Sequence, residues 1–300
     1  MAMGLMIQTS STGLDSSKRN VTNMKETLQV VPTTRQIQLN DRSILELKFV
    51  PEGGGENPTL WWAAQRFMQG AKRFQELELL LPKVLQQWNS YPRVSRNVRT
   101  GQLTVSLVGN DFLHAQSEAA ALASESLLHF RAALDRAVYQ LSWKNTGNRP
   151  KGTAFPFCNR SDKWRKRVHT DLKGVADKYV SRIAQLQPFN GVSWTTQLGL
   201  LSNRDKHDQQ VQIASVYSCQ VDMKQEYPDP TRSDLKILQV TNAQVAFVFV
   251  PPDRKIDTKN PDIATDVLID IMRGIVDFLN PLLEEDHVHP IQVVQTTNPD

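Results

Sequence analysis

The chain is poor in cysteine. It has two in 300 residues, Cys158 and Cys219, and neither belongs to a CxxC pair or to a Cys/His set with metal spacing. Structural zinc sites are built on such sets, so the pattern argues against one. A chain of this length buries a large share of its surface without a disulfide, so both cysteines are read as buried thiols. Long apolar runs are missing as well. A bilayer span needs roughly 20 mostly apolar residues, and the richest stretch, Ile263–Leu283, is broken by Asp266, Asp270, Arg273 and Asp277. The first residues lack a basic region followed by an apolar core, so no signal peptide is recognised. No membrane partner is expected, and a cytoplasmic location follows. Strong charge of one sign is also lacking: 35 basic against 31 acidic residues give a net charge of +4. That balance permits contact with a polyanion without demanding it.

Several nucleotide-binding and catalytic signatures are absent too. The chain holds no GxxxxGK[ST], no GxGxxG, no HExxH and no GxSxG. ATPase, Rossmann dehydrogenase, zincin protease and α/β-hydrolase readings therefore lose their basis in sequence. No cofactor and no metal are expected.

What is present is ordinary globular material, 40% hydrophobic and 22% charged. Residues 1–35 are rich in Ser, Thr, Asn and Gln without sustained periodicity, and are expected to be disordered. Residues 36–285 are read as one domain. Within it, the helical bundle covers about 58–207, and strands with a last helix cover about 208–285; residues 286–300 form a polar tail. Leu60, Ala64, Phe67, Ala71, Phe74 and Leu77 recur at threes and fours and predict a helix over about 58–89, kinked or restarted at Pro82. Leu127, Phe130, Leu134, Val138 and Leu141 mark the buried stripe of a second long helix, about 112–143. Ala154-Phe155-Pro156-Phe157 forms an extended apolar plug. Further helices are expected over about 161–170, 174–186, 195–206 and 262–284. Leu235–Val240 and Ala243–Val250 read as strands paired through a Thr241-Asn242 turn. Helices and strands are segregated, so the fold class is α+β: a mainly helical bundle with a small antiparallel sheet.

Three clusters carry possible chemistry. Arg131 sits beside the buried stripe and Asp135 lies one turn on, at a spacing where opposite charges pair. An arginine near a core is costly unless paired, so the pair reads as a structural ion pair between helices or as part of a site. Next, Asn203, Arg204, Asp205, Lys206 and His207 end an apolar helix. They would cap it and complement its dipole; alternatively, His207 would transfer protons and Arg204 and Lys206 would hold phosphate. The third cluster is Lys163-Trp164-Arg165-Lys166-Arg167, with His169 nearby. Basic residues flanking an aromatic suit a polyanion, as a solvated helix face also would. Arg93, Arg96 and Arg99 add further positive charge.

Four segments in order carry a resemblance. Leu127-Leu128-His129-Phe130-Arg131-Ala132-Ala133-Leu134-Asp135, Phe155-Pro156-Phe157, Leu186-Gln187-Pro188-Phe189 and the segment from Leu198 to His207 resemble a family of uncharacterised bacterial and phage proteins. Its members carry LRSALDH, FPI, QPY and LNxxDKHR segments. The resemblance spans roughly residues 65–208 and implies no established activity. A second resemblance is to HEPN-type helical bundles, RNases and toxins that pair an Arg with a His a turn or so along one helix. Arg131 matches the Arg, but Arg136 stands at the His position. That resemblance implies a metal-independent ribonuclease in phage defence or a mobile element. Arg131, Asp135, Arg204, Asp205 and His207 would then form the catalytic set. Arg131 would stabilise phosphorane charge and His207 would act as acid or base. The residues leave open whether the chain is an enzyme. With the Arg–His spacing broken, the leading expectation is a non-catalytic binding or assembly module, forming a homo-oligomer, that contacts nucleic acid or an acidic protein through Arg93, Arg96, Arg99 and Lys163–Arg167.

Overall fold

Ala64, Phe67, Ala71, Phe74 and Leu77 are all buried along one face of α1 (Trp61–Gln87). The computed structural model describes residues 44–48, 59–87, 93–106, 111–205, 211–250, 263–287 and 290–296. The segments read as disordered (1–35) and the residue His207 lie outside them.

Helix α1 runs unbroken through Pro82 to Gln87, so it does not restart there. A proline removes one helical hydrogen bond, and the buried positions before it, Leu77 and Leu80, tie the helix to the core. The partner of α1 is α2 (Asp111–Thr146). The two are antiparallel: Gly70 meets Phe130, while the later residue Arg73 pairs with the earlier Glu125 at 2.7 Å. A Cβ on Gly70 would stand 2.7 Å from the Phe130 ring, so only glycine permits this approach.

The whole predicted stripe of α2, from Leu127 to Leu141, is buried. Beyond α2 come the short α3 (Trp164–Asp171) and α4 (Asp177–Gln185), then α5 (Ser193–Asp205) and α6 (Ala264–Glu285). Helix α6 presents Leu268, Ile271, Ile275, Phe278, Leu279 and Leu282 to the core and packs against α1, α2 and α5. Gly274 of α6 accommodates the Trp194 ring of α5, which a Cβ would strike.

The α+β class holds: the described residues contain six helices and a four-stranded antiparallel sheet. The strands are β1 (Ile44–Lys48), β2 (Arg93–Asn97), β3 (Leu103–Ser106), β4 (Ile213–Pro228), β5 (Leu235–Phe249) and β6 (Gln292–Thr296). The larger sheet runs β3-β2-β5-β4, and β1 pairs separately with β6. Two expectations are corrected here. Leu235–Val240 and Ala243–Val250 do not form a hairpin; they are one strand, β5, paired along β4. The Thr241-Asn242 signal marks a bulge instead. Ser218 faces Gln244 and Gln220 faces Thr241, so β5 carries one extra residue there. In addition, the stretch read as a polar tail contains β6, whose Val293 and Val294 lie opposite Leu47 and Glu46. Among the described residues, no helix is long and apolar enough to cross a membrane.

Candidate functional site

Arg131 and Asp135 pair as their spacing predicts, with Nε 3.2 Å from both carboxylate oxygens. What they do together is less obvious from sequence. Residues 154–158, a strap beside α2, belong to no helix or strand and pair with no strand among the described residues. Arg131 Nη2 donates to the Phe155 carbonyl at 3.0 Å, and the Phe155 N–H donates to Asp135 Oδ1 at 2.8 Å. One residue thus exchanges both backbone hydrogen bonds with two side chains a helical turn apart. In a sheet, a facing strand would supply that pair of bonds. The side chain of Arg131 is only 12% exposed, and the Phe157 ring lies beneath its guanidinium, 4.2 Å from centroid to Cζ.

The strap is held at its other end by Gln187, which is fully buried. Its Oε1 accepts the Cys158 N–H at 3.0 Å and its Nε2 donates to the Ile183 carbonyl at 3.1 Å. The Cys158 carbonyl takes the Phe189 N–H at 3.2 Å, and the Ala154 N–H reaches the Asp171 carbonyl at 3.0 Å. Buried backbone groups must be paired, and each of these is. The ring of Phe155 packs on Phe278 of α6 and on Phe157, with centroids 5.6 and 5.3 Å apart. Phe157 also lies against Gly199 of α5, where an added Cβ would be 3.1 Å from the ring. Three of the four segments noted in the sequence therefore converge on one strap, and Gly199, from the fourth, meets it through Phe157. The sequence does not single out this role of Gln187, which lies in the bend between α4 and Pro188; the signal there is a glutamine set between the apolar Leu186 and Pro188.

The remaining proposed catalytic residues are placed less fully. Arg204 and Asp205 are the last two residues of α5, but their side chains, like His207, lie outside the described residues. Arg136, at the HEPN-type His position, is exposed and lies over the Tyr139 ring at 5.5 Å. Five residues after Arg131, it stands about 140° round the helix from it. Among the described residues, no three His, Cys, Asp or Glu side chains are grouped to hold a metal ion.

The proposed nucleic-acid residues divide sharply. Lys163, Arg165, Lys166 and Arg167 are all exposed along the start and outer face of α3. Lys163, Lys166, Arg167, Thr170 and Asp171 line an open groove of about 560 Å³. Arg167 is tied to Asp171 at 3.0 Å. Lys163, Arg165 and Lys166 have no carboxylate within ion-pair distance among the described residues. Trp164 does not face outward with them: it is half-buried, packs on the core and meets Phe189 edge-on at 5.9 Å. Arg96 is ion-paired to Glu226, which also binds Lys236 at 3.1 Å. Arg99 is exposed in the turn after β2. Arg93 opens β2, and its side chain is outside the described residues.

A second, smaller depression of about 270 Å³ was not foreseen. It is lined by Trp62, Arg136, Tyr139, Gln140, Trp143 and Arg149. The signal available in sequence was the Trp61-Trp62 pair at one helix start and the Arg136, Tyr139, Gln140, Trp143 spacing of one helix face at the end of another.

Compared with family models, with curated proteins and with solved structures, the chain matches none.

Proposed function

We propose that the chain is a non-catalytic nucleic-acid-binding module whose contact surface is the basic face of α3. The observation that carries this reading is the open groove lined by Lys163, Lys166 and Arg167, with Lys163, Arg165 and Lys166 free of acidic partners among the described residues. Unpaired cations along one exposed helix face are the electrostatic footprint of phosphate binding. Against catalysis at Arg131 stands the use of its Nε and Nη2 on Asp135 and Phe155. A group that stabilises charge in a transition state needs donors aimed at the reacting atoms, and neither groove is lined by Arg131 or Asp135.

Fluorescence anisotropy with labelled RNA, read across a salt series, tests the proposal. Three phosphate contacts give a slope of log K against log salt of about −2 for single strands. Lys163→Glu with Lys166→Glu should weaken binding and flatten that slope. Salt-insensitive binding, or affinity unmoved by the double charge reversal, overturns the proposal. RNA cleaved by the intact chain in EDTA, and not by Arg131→Ala, would favour the ribonuclease alternative instead.

A further inference from the structure

Trp62, at the start of α1, is 49% exposed, an unusual state for the largest apolar side chain. It borders a depression with Tyr139 and Trp143, whose rings meet edge-on at 6.0 Å on α2. Trp61 backs Trp62 at 4.5 Å in a T-shaped contact. Two guanidinium groups complete the lining. Arg136 lies over Tyr139 at 5.5 Å and Arg149 over Trp143 at 5.1 Å. Neither arginine has an acidic partner among the described residues. Gln140 borders the same space. It is 3% exposed, and its buried Oε1 has no hydrogen-bond partner among the described residues. A buried unsatisfied acceptor is costly, and no group among the described residues relieves it.

These features select a ligand by chemistry. An aromatic cage alone would suit a cation, but two unpaired arginines on the ring faces repel one. They favour a ligand that is flat where it meets the rings and anionic beside them. The volume falls just short of the roughly 300–1,000 Å³ of small-molecule pockets, which suits one planar ring and not a folded ligand. Trp62 reaches in from the start of α1 and Arg149 from the loop after α2, so the depression lies where one end of each helix meets the other. From this we infer that the depression holds one unpaired base of a single-stranded nucleic acid, stacked on Trp62, with Arg136 and Arg149 on the flanking phosphates. The inference builds on the nucleic-acid reading above and adds strand preference: duplex bases are already stacked and cannot enter, whereas base–aromatic stacking is tolerant of sequence.

The test compares the full chain with Trp62→Ala, Trp62→Phe and Arg149→Ala, using a labelled unstructured oligonucleotide of about ten nucleotides and a duplex of equal length. Both Trp62 and Arg149 are exposed, so neither alanine variant should unfold the chain, and circular dichroism checks that. Trp62→Ala should lower single-strand affinity about 5- to 100-fold, Trp62→Phe should restore most of it, and duplex affinity should stay unchanged. Single-strand affinity unmoved by Trp62→Ala and Arg149→Ala, an equal loss for both strand types, or no single-strand binding by the intact chain at low salt overturns the inference. The α3 reading fails separately: Lys163→Glu with Lys166→Glu would leave both affinities intact, whatever the Trp62 variants do.

Discussion

The Phe157 side chain is pinned between Arg131, whose guanidinium lies 4.2 Å from the ring centroid, and Gly199, where any Cβ would sit 3.1 Å from the Phe157 Cβ and from two ring atoms. Ring, cation and glycine therefore act as one packing unit across α2, the strap and α5.

That arrangement decides the sign of a substitution. Gly199→Ala in a helix gains about 1 kcal/mol of intrinsic propensity, while overpacking costs about 1–3 kcal/mol. With Arg131 holding the ring, the cost should prevail and the variant should lose about 1 kcal/mol. In an Arg131→Ala background the ring is free to tilt, and Gly199→Ala should become neutral or stabilising. Denaturant unfolding of the four proteins in the cycle measures the coupling, expected at about 1 kcal/mol. Additive effects would show that Arg131 does not hold Phe157.

Gln187 makes a second prediction. Gln187→Leu keeps the volume near constant but leaves the Cys158 N–H and one acceptor interaction of the Ile183 carbonyl without their partner. An unpaired buried group costs about 1–3 kcal/mol, so the variant should lose about 2–4 kcal/mol. Hydrogen exchange at the Cys158 amide should accelerate. An amide as protected as in the parent would mean that the strap is held by other groups.

Burial pushes the Glu78 carboxyl up to about 7. In the folded chain it keeps its proton to about that pH, whereas unfolded it ionises near its ordinary 4.5. Between those values the folded state binds more protons, so this group's contribution makes stability fall as pH rises through the window. Glu78→Gln should remove that slope and stabilise the chain at pH 8 by about 1 kcal/mol, the full shift being discounted for the group's solvent contact. Thermal melts between about pH 5 and 8 compare the two proteins. A parallel fall in both would assign the slope to other groups.

Much of this was legible in sequence where a single element carries the signal. The stripe from Leu127 to Leu141 and the Arg131–Asp135 pair follow from helical spacing alone, because one helix fixes both partners. Strand β2 escaped because Arg93-Val94-Ser95-Arg96-Asn97 offers one apolar residue, Val94, and its place in the sheet comes from pairing with β3 and β5. The Thr241-Asn242 signal suits a turn and a bulge alike, because the two share the same residues; only the partner strand distinguishes them. The aromatic depression draws on α1, α2 and the following loop, so the Trp61-Trp62 pair and the Arg136-to-Trp143 spacing each mark a helix face, but only the fold brings them together.

The thermal midpoint of Arg131→Ala, measured beside Arg136→Ala, shows whether Arg131 anchors residues 154–158 or serves chemistry. If Arg131 is the anchor of the strap, its loss removes bonds to Asp135 and Phe155 and the cation on Phe157. That should cost about 2–4 kcal/mol, a fall of roughly 5–12 °C. Arg136→Ala should shift the midpoint by about 2 °C or less, and RNA affinity of folded Arg131→Ala should match the parent. An unchanged midpoint for Arg131→Ala together with lost RNA binding or cleavage would contradict the account and return Arg131 to the chemistry.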